Sequence, residues 1–367
     1  MAEPSPSVRE DMPWGACPLP TDPPPPELAR EVRRHLGTVP IWAGVLAPAP
    51  WVVRCNIGLL GAPLAHLPSR LWELATLVVS QDNSCRYCFG TQRTLLRILG
   101  YREAEIDRLA HDLDRADVSP IERAALGFAR RVSRAQPRPG AADRTALVDG
   151  GFPAAAVPEL VFAAGAVVYA NRLSTLVAMP PESFELAAEH PLGRLLMPLV
   201  SRLVRRRFAH PRGRPMPAPA ATGGVGDAVV AALGEVPAAA ALREAIDAAF
   251  ASSILPRRTK LLCWGVVARA LGCPANEREA VDALWREGVA PVEVAGVLAH
   301  LGGPGVDARE AQLLALARES VHYQVPVIQE RLRAAATTLG ADETVELVGF
   351  LALANGAVRI GAMLDAC

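Results

Sequence analysis

A shift of 188 residues lays one half of this chain over the other. It places Pro68 on Pro256, Arg70 on Arg258, Cys85 on Cys273 and Gly100 on Gly288. It also places Glu122 on Glu310, Leu126 on Leu314, Ala129 on Ala317 and Arg130 on Arg318. A shift of 187 continues the match, with Glu159-Leu-Val on Glu346-Leu-Val and Arg172 on Arg359. Punctuation, capping and apolar positions agree without a gap over more than sixty residues at the first shift, which predicts a tandem duplication. Whatever the first half folds into, the second half must fold into as well.

The repeated unit reads as helical. Pro68 opens an apolar-periodic run through Ser80, and Gly100 is placed to end the next one. Further helices are predicted over 103–113, 120–133 (begun by Ser119-Pro120-Ile-Glu122), 141–148 and 154–177. No segment of period two competes, so the expected fold is all-α, two tandem helical domains. Boundaries follow composition: a Pro-rich disordered tail over 1–28, a first domain over 29–189, a connection over 190–226 and a second domain over 227–367. Within the connection, 192–208 interleaves apolar residues with five arginines. It reads as a basic amphipathic helix packing on the domain in preference to a membrane surface. A Pro/Gly/Ala linker follows over 211–226.

Composition excludes several classes. With 38 Lys+Arg against 38 Asp+Glu the net charge is zero, so no electrostatic case for nucleic acid arises. Lys260 is the sole lysine, which removes a P-loop or Schiff-base lysine from the first 259 residues. Seven scattered cysteines (Cys17, Cys55, Cys85, Cys88, Cys263, Cys273, Cys367) do not form a secreted disulfide framework. With no basic-then-apolar signal pattern and no uninterrupted apolar run of about 20 residues, the expectation is a cytoplasmic protein.

The chemistry-bearing stretch is Ser80-Gln-Asp-Asn-Ser-Cys85-Arg-Tyr-Cys88-Phe-Gly-Thr-Gln92, with Glu73 twelve residues before its first cysteine. A cap-rich tetrad precedes the cysteines and an apolar-periodic run follows them. Both sulfurs are therefore expected at the first turn of a helix, where unpaired N–H groups and the dipole favour thiolate. One turn apart, they can also join as a disulfide. The residues alone leave open two inert buried thiols or half of a zinc site, although no second ligand pair accompanies them. The second half lacks the set: Glu73 faces Leu261, Cys88 faces Asn276 and Gln92 faces Ala280, leaving Cys273 without a partner. Arg172 and Arg359, kept in both halves, read as structural. Cys55 and Cys263 read as buried hydrophobes, Tyr87 as packing, and His66 and His111 as surface residues.

Pro68, Glu73, the Cys85-Arg-Tyr-Cys88 pair, Gly100, Ser119 to Ala129, Gly150-Gly-Phe and Asn171-Arg172-Leu together resemble the AhpD-like alkylhydroperoxidase and carboxymuconolactone decarboxylase superfamily. The likeness covers about 40–180, and 240–367 in weakened form. The resemblance implies two tandem AhpD-like helical domains, the second degenerate, and a thiol-dependent peroxidase or dithiol oxidoreductase. It implies a peroxidatic Cys88, a resolving Cys85 and a base-side Glu73, with Gln92 in the place of the family's histidine. Hydroperoxides or partner disulfides would be substrates and a thiol the reductant, in a homo-oligomer without cofactor or metal. Gln92 cannot titrate, which departs from the family's relay. The rivals are a silent helical scaffold or ligand-binding protein, and a decarboxylase-like enzyme that would bind a carboxylate through arginine.

Overall fold

Proline and glycine set the helix ends, and those ends aim the cysteines. The computed structural model describes residues 13–134, 139–185, 211–322 and 324–367. Among the described residues, nine complete α-helices precede the connection: α1 Pro26–Leu36, α2 Ile41–Val45, α3 Pro50–Leu60, α4 Ser69–Asp82, α5 Arg86–Leu99, α6 Glu103–His111, α7 Pro120–Ser133, α8 Ala141–Asp149 and α9 Val157–Leu176. After it come α10 Asp227–Leu233, α11 Pro237–Ala251, α12 Arg257–Ala270, α13 Pro274–Arg286, α14 Pro291–His300, α15 Ala308–Glu319, α16 Val325–Ala336 and α17 Ala341–Met363. The fold is all-α. Among the described residues there is no β-strand, and one isolated bridge joins Leu64 to Arg212.

The helix starts follow their sequence signals. Ser119 caps α7, its side chain accepting from Glu122 N at 3.2 Å while Glu122 returns the bond to Ser119 N at 3.0 Å. Gly100, at φ 99°, closes α5 in the left-handed region where a Cβ is disfavoured.

The centre is built by the two longest helices. Each of α9 and α17 is long and apolar enough to cross a membrane by length and composition, yet 78% and 94% of their apolar windows are buried. They lie against each other, and glycine makes this close approach available. A Cβ on Gly356 would stand 2.7 Å from the carbonyl oxygen of Gly165. Arg172 of α9 and Arg359 of α17 are both about 1% exposed and reach across the pair. Arg172 Nη2 donates to Val321 O at 3.1 Å, and Arg359 Nε donates to Ser133 O at 3.1 Å. Each thus satisfies a carbonyl at the end of a helix in the other half (α15 and α7). Buried carboxylates do related work. Glu159 accepts from the N–H groups of Ala65, His66 and Leu67 at 2.6–2.8 Å, fixing the approach to Pro68. Glu346 accepts from Leu255 N at 3.2 Å, just before Pro256, and pairs with buried Lys260.

One expectation needs correction. Residues 13–25 are not a disordered tail: they carry no helix, but Trp14 Nε1 donates to Met179 O at 3.1 Å and Gly15 N to Gln329 Oε1 at 2.9 Å. Leu19 is buried, so proline prevents regular structure here without preventing docking. The 211–226 stretch is likewise fastened to both halves. Leu64 N donates to Pro211 O at 3.0 Å, Gly213 N to Leu64 O at 3.0 Å, and Met216 N to Glu235 O at 2.9 Å. The basic segment 192–208 and residues 1–12 lie outside the described residues.

Candidate functional site

Cys85 sits where one helix stops and the next begins. Ser84, at φ 51°, takes the left-handed conformation that ends α4; its N–H bonds Gln81 O, and Cys85 N bonds Ser80 O, both at 3.0 Å. The chain then reverses directly into α5 with Cys85 as its N-cap. Gly272 (φ 60°) and Cys273 repeat this turn at the start of α13, with Cys273 N bonding Ala268 O at 2.9 Å. Local capping chemistry therefore positions both sulfurs before any tertiary contact is counted.

The two thiols of the first half are placed differently. Cys85 is fully buried, whereas Cys88 is partly exposed. Cys88 N donates to Cys85 Sγ at 3.4 Å. The Cys88 sulfur lies 3.6 Å from both Ala170 O and Ser174 Oγ of α9. As a thiol it donates to the carbonyl; as a thiolate it accepts from the serine hydroxyl. Burial raises its pKa, but hydrogen bonds from Cys85, Ser174 and Asn171 outweigh burial and hold Cys88 below the ordinary 9.0. Burial, then the hydrogen bond to Cys88 and the charge on it, holds Cys85 well above it. Cys88 ionises first, and the Cys85 thiol donates to it.

Glu73 and Gln92 meet one turn further along. Gln92 follows Cys88 by four residues on one face of α5. Its Nε2 donates to Glu73 Oε2 at 2.7 Å and to Glu73 O at 2.9 Å. Both side chains are buried. Burial pushes the Glu73 carboxyl up to about 7, and the Gln92 donor opposes that rise. Arg70, three residues before Glu73, bonds Glu122 and Tyr101. A carboxyl that titrates near neutrality is suited to accept and return a proton.

Tertiary packing brings further polar residues beside the sulfurs. Asn171 receives Asn83 Nδ2 at 2.8 Å and donates to Ser80 Oγ at 3.0 Å, so α4 and α9 are tied beside the sulfurs. Tyr87 is buried as expected and donates to Glu182 at 2.6 Å; Thr91 donates to Glu185 at 3.0 Å. A Cβ on Gly90 would collide with the Glu185 carboxylate. A cavity of about 260 Å³ opens at the start of α5, where Arg86, Tyr87 and Glu185 face Cys17 and Met179. Sequence reasoning assigned no role to Asn171, Ser174, Glu182 or Glu185. A signal existed for the first two: Asn171 and Ser174 are polar and one turn apart, beyond a stretch of α9 that is apolar from Leu160 to Val168.

The expectation for Cys273 is overturned. It is disulfide-bonded to Cys367, a partner 94 residues away that no local spacing points to. The remaining cysteines are free thiols. Cys55 and Cys263 are buried as read from the sequence, and burial pushes Cys55 up to about 12.

No family model matches the chain, and no curated protein matches it. Among solved structures, the chain is similar to an uncharacterised peroxidase-related protein from Ralstonia eutropha, an alkylhydroperoxidase AhpD core. The TM-score is 0.42 and the identity 24%, over 47% of this chain and 96% of that one.

Proposed function

We propose that the first half is an AhpD-like dithiol oxidoreductase acting on hydroperoxides or on partner disulfides, joined to a second half of the same ancestry. One observation carries this reading: a partly exposed Cys88 with depressed pKa beside a fully buried, protonated Cys85 at a helix N-cap. In the peroxide reaction the Cys88 thiolate attacks the distal oxygen of ROOH. The O–O bond breaks, Cys88 becomes sulfenic acid, and RO⁻ leaves and takes a proton to give ROH. Cys85 then attacks the sulfenic sulfur, forming the Cys85–Cys88 disulfide and releasing water. With a disulfide substrate, Cys88 forms the mixed disulfide and Cys85 resolves it. An external thiol pair returns the site to the dithiol.

Glu73 is the proton acceptor in this reading, and its value near 7 supports that role. Gln92 acts through Glu73: both of its bonded contacts are to that residue. The carboxylate-binding alternative draws little support from Arg172 and Arg359, whose guanidinium groups reach main-chain carbonyls between the halves. A cytoplasmic setting and a homo-oligomer belong to the same reading. The test is peptide mapping of differentially alkylated protein after mild hydroperoxide treatment. A Cys85–Cys88 disulfide, reversible by thiol, is expected; recovery of both as free thiols in folded protein would favour the silent scaffold.

A further inference from the structure

The second half carries a disulfide at the position where the first half carries its dithiol. Cys273 is the N-cap of α13 and fully buried, as Cys85 is at α5. Position 276, in register with Cys88, holds Asn276, so the bonding partner comes from elsewhere: Cys367, which is exposed. Asn276 is also fully buried. Its Nδ2 donates to Cys273 Sγ at 3.1 Å and lies 3.5 Å from Ala366 O, while its Oδ1 has no hydrogen-bond partner. A buried amide with an unsatisfied oxygen is costly, and here its donor end is aimed at a sulfur.

We infer that Cys273–Cys367 is a second redox centre, a disulfide opened by small thiols through attack on Cys367. Cys273 is fully buried and Cys367 is an exposed residue, which favours attack at the Cys367 sulfur. An incoming thiolate RS⁻ forms RS–S–Cys367, the Cys273–Cys367 bond breaks, and the electron pair leaves on Cys273 as thiolate. That leaving group is stabilised by the N–H groups at the start of α13 and by Asn276 Nδ2. Attack by a second thiol on the mixed disulfide releases RSSR and Cys367 thiol. Two thiols are oxidised and one protein disulfide is reduced. The same event frees the segment after α17 from α13, where Ala366 O now lies beside Asn276.

The experiment uses the full chain purified without reductant, exposed to glutathione, quenched by alkylation and peptide-mapped. Because the readout is specific to the Cys273 and Cys367 peptides, it is independent of the fate of Cys85 and Cys88. Expected are a Cys273–Cys367 linked peptide before treatment and a glutathione adduct on Cys367 during it. Asn276→Ala should slow opening roughly tenfold, the loss of one hydrogen bond to a charged sulfur. In Cys273→Ser, oxidised glutathione should exchange with the Cys367 thiolate and leave a lasting adduct there, because no neighbouring thiol remains to displace it. Free thiols at both positions after mild oxidation, an adduct on Cys273, or a disulfide reduced only on denaturation would each overturn the inference.

Discussion

The Gln92 side-chain amide donates to both the carboxylate and the main-chain carbonyl of Glu73, at 2.7 and 2.9 Å. Gln92 therefore fills its place as a clamp: it orients Glu73 and opposes the rise that burial imposes on the carboxyl. Gln92→Ala should raise the Glu73 value above about 7, measured from the carboxyl stretch in infrared titration. Gln92→His keeps a donor toward Glu73 and adds a titrating ring nitrogen one turn from Cys88. Single-turnover peroxide oxidation should then quicken by roughly one to three decades, the span of a positioned base. Glu73→Gln in that background should remove most of the gain.

Glu73 also makes stability depend on pH. Its folded value of about 7 exceeds the ordinary 4.5, so the protonated form is the one that folding favours. The contribution is whole below pH 4.5 and is lost as pH rises through about 7. The stability of wild type relative to Glu73→Gln should fall by about 3 kcal/mol across that window, at about 1.4 kcal/mol for each pH unit between 4.5 and 7. Urea titrations of both proteins at several pH values measure it. A flat difference would mean that Glu73 ionises as it does in the unfolded chain.

The sulfur-to-serine contact sets which thiol reacts. Ser174→Ala removes a donor to the Cys88 thiolate, so its pKa should move up and iodoacetamide labelling at neutral pH should slow by a few-fold. Cys85→Ser should leave Cys88 as a sulfenic acid that dimedone traps. Label found instead on Cys85 in Cys88→Ser, with none in the reverse variant, would invert the two roles.

The turn before Cys85 stores local strain that its counterpart avoids. Ser84 holds φ 51°, whereas the second half places Gly272 at φ 60° in the same turn. Ser84→Gly should therefore stabilise the protein by up to about 1 kcal/mol, read as a higher urea midpoint with unchanged slope. Gly272→Ser should cost a similar amount.

Close packing at the centre leaves no such latitude. In Gly356→Ala the new Cβ would lie 2.7 Å from Gly165 O, a main-chain atom within the crossing of α9 and α17. The substitution should destabilise by about 1–3 kcal/mol, the usual cost of overpacking, in equilibrium unfolding.

What the sequence by itself determined is local. Pro68, Ser119-Pro120, Gly100 and the cap-rich residues before Cys85 specify where helices start and stop, because capping and φ restriction act within a few residues. That was enough to place Cys85 and Cys88 at the head of α5 and Gln92 one turn beyond. The meeting of Gln92 with Glu73 follows only once α4 and α5 pack. The donors from α9 (Asn171 and Ser174) and the carboxylates Glu182 and Glu185 reach the site across about 80 to 100 residues of chain, where periodicity carries no information. Cys367 shows the limit most plainly. Its pairing with Cys273 depends on where α17 delivers the chain relative to α13, and the two helices meet closely at Gly361, where a Cβ would stand 3.1 Å from Asn276 Nδ2. Proline at 20–26 likewise predicts a lack of regular structure, but the docking of Trp14 and Leu19 was decided by the apolar surface and carbonyls that the folded body presents.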